Sequence, residues 1–220
     1  MKLPFQVNIK LPNQQKLAFA QGKVSFLNEL IWSLIGLLLT VLSTFVEVFI
    51  TNPPWLWPQS GIYPQPLGIN YQIGAVLLTG CLGGKNAGIL SQVAYILLGL
   101  FWLPVFSQGG GLEYFREPSF GYILGFIPGA GVCGWLAFRQ RPRIESLAFS
   151  ALAGLVVIHL SGLIYLAGLS FLKVDGSTLI SPERLGEMMI SYSGFPLLSQ
   201  LVLICLVGLM AFVLRKILFY

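Results

Sequence analysis

Long apolar segments separated by short polar segments dominate the pattern of this chain. A bilayer core of about 30 Å requires about 20 apolar residues in a helix, and the sequence offers six candidates for such spans. The second candidate is the shortest and is polar at its start, whereas the fifth is long enough to tilt or protrude. The pattern predicts an all-α integral membrane protein with six transmembrane helices at about 26–50, 67–84, 87–105, 118–138, 144–172 and 193–214.

The domain organisation follows from the same pattern. Residues 1–25 contain four lysines and no acidic residue, and prolines and scattered polar residues keep this stretch from being a span. It is predicted to be a cytosolic N-terminal tail that can rest on anionic lipid. Residues 26–220 are predicted to be one six-helix membrane domain.

The positive charges indicate the orientation of the spans. With six spans, one side of the membrane carries ten Lys or Arg residues and the other carries three. Because cytosolic loops are enriched in Lys and Arg, both termini are predicted to be cytosolic. The ten are Lys2, Lys10, Lys16, Lys23, Lys85, Arg139, Arg141, Arg143, Arg215 and Lys216, and the three are Arg116, Lys173 and Arg184.

Composition agrees with this class of protein and excludes others. Hydrophobic residues make up 55% of the 220 residues and charged residues only 10%, whereas a soluble domain carries about 25% charged residues. The net charge of +5 is dispersed at the ends of the apolar spans, so no nucleic-acid partner is predicted. The lipid bilayer is the predicted environment, and the localisation is a multi-pass plasma membrane protein.

Two helices carry stripes of small residues, which allow close approach of a neighbouring helix. In the fourth span the stripe recurs every four residues, and packing inside the bundle is favoured for it. The first span has a weaker stripe at Gly36, Thr40 and Thr44, for which internal packing and a subunit-facing surface are both open. The fourth-span stripe comprises Gly121, Gly125, Gly129, Cys133 and Ala137.

Neutral polar residues recur at a similar depth on several spans. At 1.5 Å per residue, they form a layer about 5–15 Å below the outer membrane face. A shared depth predicts a substrate pocket near the outer face, and the alternative is a set of unrelated hydrogen bonds between helices. The layer consists of Asn70, Gln72, Tyr95, Tyr122, Tyr165 and Gln200.

The sequence offers little catalytic chemistry. His159 lies near mid-membrane, where an ionisable residue is a functional candidate, and a neutral imidazole bonded to a carbonyl or to Ser161 is the competing interpretation. No pair of carboxylates lies deep in the spans. No group of His, Cys, Asp or Glu residues has the spacing in sequence that is typical of metal ligands. The chain is therefore predicted not to be an enzyme and to need no cofactor or metal.

The stretch from Leu103 to Phe126 joins the third and fourth spans. Gly109, Gly110 and Gly111 give this loop a backbone with few steric limits, and Pro118 suits the first turn of a helix. The charge count places the loop on the outer face, at the mouth of the polar layer. It is predicted to act as a lid over the pocket.

The stretch from Gln72 to Phe126 resembles BioY, the biotin-specific substrate-binding (S) component family of energy-coupling-factor (ECF) transporters. The resemblance rests on Gln72, on Gly83, Lys85 and Gly88 at the turn, and on Tyr95, Leu97 and Gly99. It continues with Leu103-Pro104-Val105-Phe106, the Gly109–Gly111 loop, Pro118-Ser119-Phe120-Gly121-Tyr122 and Leu124-Gly125-Phe126. This covers about a quarter of the chain closely, and the six-span layout extends it to nearly all of the chain.

The resemblance implies a protein that captures biotin from outside with high affinity. In such systems the S component works with a membrane-coupling T component and two cytosolic ATPase subunits, and its first helix faces the coupling protein. The Gly36, Thr40 and Thr44 face is the candidate for that contact. Family ligand contacts carry over to Gln72, Gln108, Gly110, Tyr122 and Gln200, and Tyr95 and His159 complete the candidate site.

One departure from the family concerns the sixth span. It commonly begins Pro-Gly-Asp followed by a Lys, whereas this chain has Leu197-Leu198-Ser199-Gln200. Gln200 can replace those residues as a hydrogen-bonding group, since an amide offers both donors and an acceptor. An S component for another vitamin and a non-transporting structural membrane protein are the alternatives, and an intramembrane enzyme that depends on His159 is the third.

Overall fold

The computed structural model describes residues 26–174, 177–178 and 180–219, so the predicted tail at residues 1–25 lies outside the described residues. The helices are α1 (Phe26–Thr44), α2 (Trp57–Ser60), α3 (Gln72–Phe101), α4 (Phe120–Ala137), α5 (Ile144–Phe171), α6 (Pro182–Met189) and α7 (Phe195–Phe219). Short 3₁₀ helices lie at Pro54–Leu56 and Leu112–Arg116, and a π-helical turn at Ile190–Gly194 joins α6 to α7. The strands β1 (Glu47–Thr51), β2 (Pro64–Asn70), β3 (Lys173–Val174) and β4 (Ser177–Thr178) form two antiparallel pairs, β1–β2 and β3–β4.

Among the described residues, five helical segments are long and apolar enough to cross a membrane. Four of them are α1, α3, α4 and α5, and the fifth runs from Glu183 to Leu218 through the π-helical turn. The prediction of a mainly helical membrane protein is confirmed.

Helix α3 contains the predicted second and third spans and reverses direction between them. Gly84 has φ 83° and ψ −174°, which interrupts the helix. The side chain of Gln72 donates to the hydroxyl of Tyr95 at 2.8 Å, although the two residues are 23 positions apart. The halves before and after Gly84 therefore lie side by side, and the turn falls at the edge of the predicted 84–87 connection.

The predicted outer ends of the first two spans are strands instead of helix. Residues 47–51 and 64–70 pair as the antiparallel β1–β2 hairpin, with Thr51 opposite Pro64 and Glu47 opposite Asn70. Prolines at 64 and 66 exclude a regular helix there, because proline lacks the N–H and clashes with the preceding turn. Asn52 closes the loop between the strands, since its side-chain Nδ2 donates to the Gly61 carbonyl at 2.9 Å.

The small-residue stripe of α4 packs against α5, which confirms the predicted internal packing. A side chain at Gly121, Gly125 or Gly129 would collide with residues of α5, namely Tyr165, Ser161 and Ile158. On the other side of α4, the backbone of Gly134 meets the α3 turn at Gly84. Helix α4 is thus held between α3 and α5 by direct backbone approach, which small residues permit.

The stripe of α1 also faces the interior of this chain. Gly36, Thr40 and Thr44 are buried, and a side chain at Gly36 would overlap Thr79 of α3. Gln92 of α3 donates to the Thr40 hydroxyl at 3.1 Å, so Gln92 joins the second half of α3 to α1.

The prediction that this stripe faces a partner is therefore wrong, because α3 of the same chain occupies it. The side of α1 that the fold leaves uncovered is aliphatic and aromatic. Its exposed residues include Phe26, Leu27, Leu30, Ile31, Leu34, Leu38 and Leu42.

Candidate functional site: a neutral cavity at one end of the helices

A cavity of about 350 Å³ lies where α3, α4 and α7 begin and where β2 ends. Small-molecule pockets in proteins commonly measure about 300–1,000 Å³. None of the described residues that line the cavity carries a formal charge. They include the polar residues Asn70, Gln72, Ser107, Ser119, Tyr122, Ser191 and Gln200.

The remaining walls are apolar or aromatic. Ile69, Ile73, Ile123, Phe126 and Pro196 line the cavity together with Tyr192. The rings of Tyr192 and Tyr122 stack with centroids 5.9 Å apart. An apolar body with a few hydrogen-bonding groups is what such a lining suits.

The hydrogen bond between Gln72 and Tyr95 fixes the orientation of the Gln72 carboxamide. Tyr95 donates its hydroxyl proton to the Val105 carbonyl at 3.1 Å, so the Tyr95 oxygen can only accept from Gln72. Gln72 must therefore turn its Nε2 towards Tyr95, as observed at 2.8 Å. Among the described residues Gln72 Oε1 accepts no hydrogen bond, and it remains available to the cavity as an acceptor.

A second chain of hydrogen bonds links α4, α5 and the start of α7. The Tyr122 hydroxyl lies 2.7 Å from Ser193 Oγ, and Ser193 Oγ lies 2.9 Å from His159 Nδ1. His159 Nε2 lies 2.6 Å from Gln200 Oε1. All four side chains are buried.

Which of these groups donates and which accepts follows from Gln200, the last residue in this series of hydrogen bonds. A carbonyl oxygen can only accept, so His159 donates from Nε2, and in the tautomer with its single proton on Nε2 the ring accepts at Nδ1. Ser193 then donates to His159 and accepts from Tyr122. The Nε2 amide group of Gln200 is left free to donate into the cavity.

The two carboxamides at the cavity thus present opposite functions. Gln72 offers an acceptor and Gln200 offers N–H donors. A ligand group with both an N–H and a carbonyl oxygen, such as an amide or urea, can satisfy both of them. An unpaired buried polar group costs about 1–3 kcal/mol, so a ligand lacking either function would bind more weakly.

The predicted site residues are distributed unequally. Gln72, Tyr122 and Gln200 line the cavity, and Tyr95 and His159 lie behind them and hold the two carboxamides. Tyr165 is not among the described residues that line the cavity, and its hydroxyl donates to the Phe115 carbonyl. Ser161 is not the partner of His159 and donates instead to the Val157 carbonyl within its own helix.

The sequence interpretation missed Ser193, which joins Tyr122 to His159. The only signal for it was the pair of serines at 191 and 193 just before the last apolar segment. Small hydroxyl residues are common in membrane helices as hydrogen-bonding partners. A serine there does not indicate by itself which side chain it contacts.

The loop between α3 and α4 is anchored in the fold by aromatic side chains. Phe106 is 1% exposed and packs edge-on to Tyr95, with ring centroids 5.3 Å apart. The Tyr114 ring lies 4.6 Å from the Phe106 ring. The loop therefore covers the helix ends as a packed segment, with Ser107 at the cavity.

The loop glycines serve its shape more than a ligand. Gly109 and Gly111 have φ of 115° and 95°, a region that residues with a Cβ rarely adopt. Gly110 lies against the backbone of Gly99 and Pro104, where a side chain would collide. Gln108 is exposed and does not line the cavity, so in this conformation it is not a contact of the site.

Helices long enough to cross a bilayer, with a neutral cavity of small-molecule size at their ends, define a class of multi-pass membrane protein. The family model for the BioY family matches residues 14–218. The chain belongs to the BioY family, and it is a multi-pass protein of the plasma membrane.

Two relatives illustrate the range of similarity. The chain is 31% identical over 195 residues to an uncharacterised 21.2 kDa protein of Cyanophora paradoxa, covering 86% of this chain and 95% of that protein. It is 41% identical over 105 residues to a probable biotin transporter BioY of Lysinibacillus sphaericus, covering 47% of this chain and 54% of that protein. This alignment therefore spans about half the length of the transporter.

A solved structure has the same fold. It is the crystal structure of the S component for biotin from an ECF-type ABC transporter, with a TM-score of 0.62 and 22% identity. The alignment covers 94% of this chain and 95% of that chain. At this identity the likeness establishes the fold.

Proposed function

We propose that the chain is the biotin-binding S component of an ECF-type vitamin uptake transporter. It captures biotin from outside and delivers it inward, with a T component and two cytosolic ATPase subunits as partners. Family membership supports this assignment, and so does a biotin S component with the same fold. The protein performs no covalent chemistry in this proposal.

The observation that carries the proposal is the pair of carboxamides at the cavity. Gln72 and Gln200 are 7% and 5% exposed, and they present an acceptor and donors to the same space. The ureido ring of biotin contains N–H groups and a carbonyl oxygen, which match both. The stacked Tyr122 and Tyr192 rings and the isoleucines offer apolar contact to the rest of the ligand.

Six spans with both termini in the cytosol are part of the proposal. The reversal of α3 at Gly84 supports six spans, since its two halves count separately. Arg215 near the chain end bonds the carbonyls of Cys81 and Ala137, and the amide of Asn86 bonds Glu29 at the start of α1. These contacts gather the Lys- and Arg-rich segments at one end, and the positive-inside rule assigns that end to the cytosol.

The cavity then lies near the outer face, and capture from outside needs no passage through the bundle. The remaining candidate residues keep distinct roles in this proposal. Tyr95 and His159 hold the carboxamides, Gly110 shapes the loop, and Gln108 reaches the ligand only if the loop closes further. The uncovered face of α1 replaces the Gly36, Thr40 and Thr44 stripe as the surface offered to the T component.

Calorimetry on the full chain in detergent tests the assignment. Biotin is expected to give saturable heat at micromolar concentration and to raise the unfolding temperature by mass action. The diamine analogue of biotin, which lacks the ureido carbonyl, is expected to bind far more weakly. No heat and no thermal shift with biotin would refute the assignment.

A second candidate is an S component for another vitamin. The observation that favours it is the start of the sixth span. The family commonly has an Asp and a Lys there, whereas this chain has the neutral Gln200. Competition of other vitamins against labelled biotin separates the two candidates, because a better competitor would replace biotin as the ligand. If no small molecule binds and cavity substitutions lower stability alone, the chain is a structural membrane protein.

A further inference from the structure

A second cavity, at the end of the bundle opposite the carboxamides, is strongly basic. It measures about 780 Å³ and lies between the loop before α5 and the last turns of α7. Ala137, whose carbonyl Arg215 bonds, is 15 residues along α4 from Tyr122, so the two cavities are about 20 Å apart. The described lining is Arg141, Pro142, Arg143, Phe212, Arg215 and Lys216.

One of the four cations is fixed in place and forms the inner wall. Arg215 is 6% exposed, and its Nε and Nη1 donate to the carbonyls of Cys81 and Ala137 at 2.8 and 2.9 Å. Its guanidinium also lies 4.0 Å from the centroid of the Phe138 ring. It is therefore committed largely to closing the ends of α3's first half and of α4.

The other three cations line the cavity and are accessible to solvent. Arg141, Arg143 and Lys216 are exposed, and none of the described lining residues is acidic. Lys216 lies over the Phe212 ring with Nζ 4.8 Å from its centroid, which directs it along the cavity wall. Arg guanidinium groups match phosphate oxygens in a bidentate manner, so the cavity suits a phosphate group.

The surroundings of the cavity indicate which phosphate compound fits. Exposed apolar residues continue from it along the same two helices: Ile144 and Phe149 on α5, and Leu209, Val213 and Ile217 on α7. A phosphate on a lipid would place its head among the cations and its acyl chains along these residues. An acidic protein segment would meet the cations and leave the apolar residues unmatched.

We propose that the cavity between Arg141, Arg143 and Lys216 binds the headgroup phosphate of an anionic phospholipid. Basic pockets between membrane helices on the cytosolic side are known to hold such headgroups. The site is separate from the biotin cavity, and the proposal does not depend on which vitamin that cavity takes. A bound lipid ties the α4–α5 loop to the end of α7.

The test compares two double variants that remove the same charge from the same end of the molecule. Arg141→Gln/Arg143→Gln removes two cations that line the cavity, and Lys85→Gln/Arg139→Gln removes two that do not. Each full-length protein is purified in detergent, and binding of phosphatidylglycerol and of phosphatidylcholine is measured by native mass spectrometry. Biotin binding and helical content check that each variant is folded.

The wild type is expected to bind phosphatidylglycerol at least 10-fold more tightly than phosphatidylcholine, since the cationic choline of phosphatidylcholine would lie among the cations of the cavity. The cavity variant is expected to lose about 10-fold in affinity for phosphatidylglycerol, and the control variant less than about twofold. Equal losses in both variants would mean general charge attraction and would overturn the proposal.

Two further arms exclude other occupants. Millimolar inorganic phosphate is expected not to displace the lipid. If phosphate displaces the lipid and by itself stabilises the protein, the cavity is a site for free phosphate. If the cavity variant binds lipid normally but no longer co-purifies with the T component and ATPases, the cavity is a protein contact instead. Either result would overturn the assignment to lipid.

Discussion

The side-chain amide of Gln72 donates to the hydroxyl of Tyr95 at 2.8 Å although both belong to one helical segment of 30 residues. In a straight helix, 23 residues would separate them by about 35 Å. The contact exists because Gly84 turns the chain back on itself. A cavity residue and the residue that orients it are therefore brought together by a turn at the opposite end of the molecule.

Gly84→Ala is expected to destabilise the protein. A backbone with φ 83° and ψ −174° belongs to a region that is essentially restricted to glycine, and other residues there cost about 1–3 kcal/mol. The unfolding temperature in detergent should fall, and biotin affinity should fall if the register between Gln72 and Tyr95 changes. Thermal unfolding followed by tryptophan fluorescence measures the first effect.

Gly168→Ala is the matched control for this substitution. Gly168 lies inside α5, and a Cβ added there meets nothing within 4 Å. Alanine should therefore be neutral or slightly stabilising, since glycine is about 1 kcal/mol less favourable in a helix. Equal losses of stability in the two variants would show that the turn at Gly84 has no special requirement for glycine.

Gln72→Leu and Gln200→Leu are each expected to weaken biotin binding by about tenfold. Each removes one hydrogen-bonding group from the cavity and leaves the matching ligand group unpaired, which costs about 1–3 kcal/mol. Calorimetry gives the two dissociation constants. If neither variant changes the affinity, the ureido group does not bind between these carboxamides.

Gln92→Leu distinguishes a lost ligand contact from general damage. Gln92 is fully buried but does not line the cavity, and its amide bonds Thr40 and Ser91. This substitution should alter the stability of the α1–α3 contact and leave the biotin affinity of the folded protein unchanged. A tenfold loss of affinity here would remove the distinction on which the cavity assignment rests.

His159→Ala is expected to weaken binding through Gln200. His159 Nε2 lies 2.6 Å from Gln200 Oε1, and without it the carboxamide is free to rotate. Because the two residues act on the ligand through one contact, their effects should not add. The double variant His159→Ala/Gln200→Leu should therefore bind biotin about as weakly as Gln200→Leu alone, and fully additive losses would contradict a positioning role.

The helical part of the fold was accessible from the sequence because each long helix has the length and composition that a bilayer demands. The shared polar layer was also informative, since depth along a helix can be counted, and Gln72, Tyr122 and Gln200 do line one cavity. Rotation about the helix axis cannot be counted in the same way. The small-residue stripe of α1 could pack equally well against a partner protein or against α3. The contacts of Thr79 and Gln92 with this stripe show that it packs against α3.

Contacts between segments that are distant in sequence could not be predicted from the sequence either. The β1–β2 hairpin lies in stretches that are apolar enough for a span, and its pairing depends on the loop that Asn52 closes. Likewise, the contact of His159 with Ser193 and Gln200 depends on how α5 lies against the π-helical turn. An imidazole within an apolar segment bonds whichever polar group the packing brings near it, and the nearest hydroxyl in sequence, Ser161, bonds its own helix.

Phe106→Ala tests whether the loop between α3 and α4 acts as an anchored cover. Phe106 is 1% exposed and fills the space beside Gly99, Tyr95 and Tyr114. Its removal should cost about 3–5 kcal/mol of stability and accelerate biotin release, because Ser107 at the cavity loses its support. Stopped-flow release of a fluorescent biotin derivative measures the rate.

Gln108→Ala is the companion variant, since Gln108 is exposed two residues further along the same loop. It should leave stability unchanged and weaken binding less than Gln72→Leu does, because Gln108 contacts the ligand only after further closure. Faster release in Phe106→Ala with normal release in Gln108→Ala would mean that loop anchoring, and not a side-chain contact at its tip, retains the ligand. Normal release in both variants would mean that the loop does not cover the cavity.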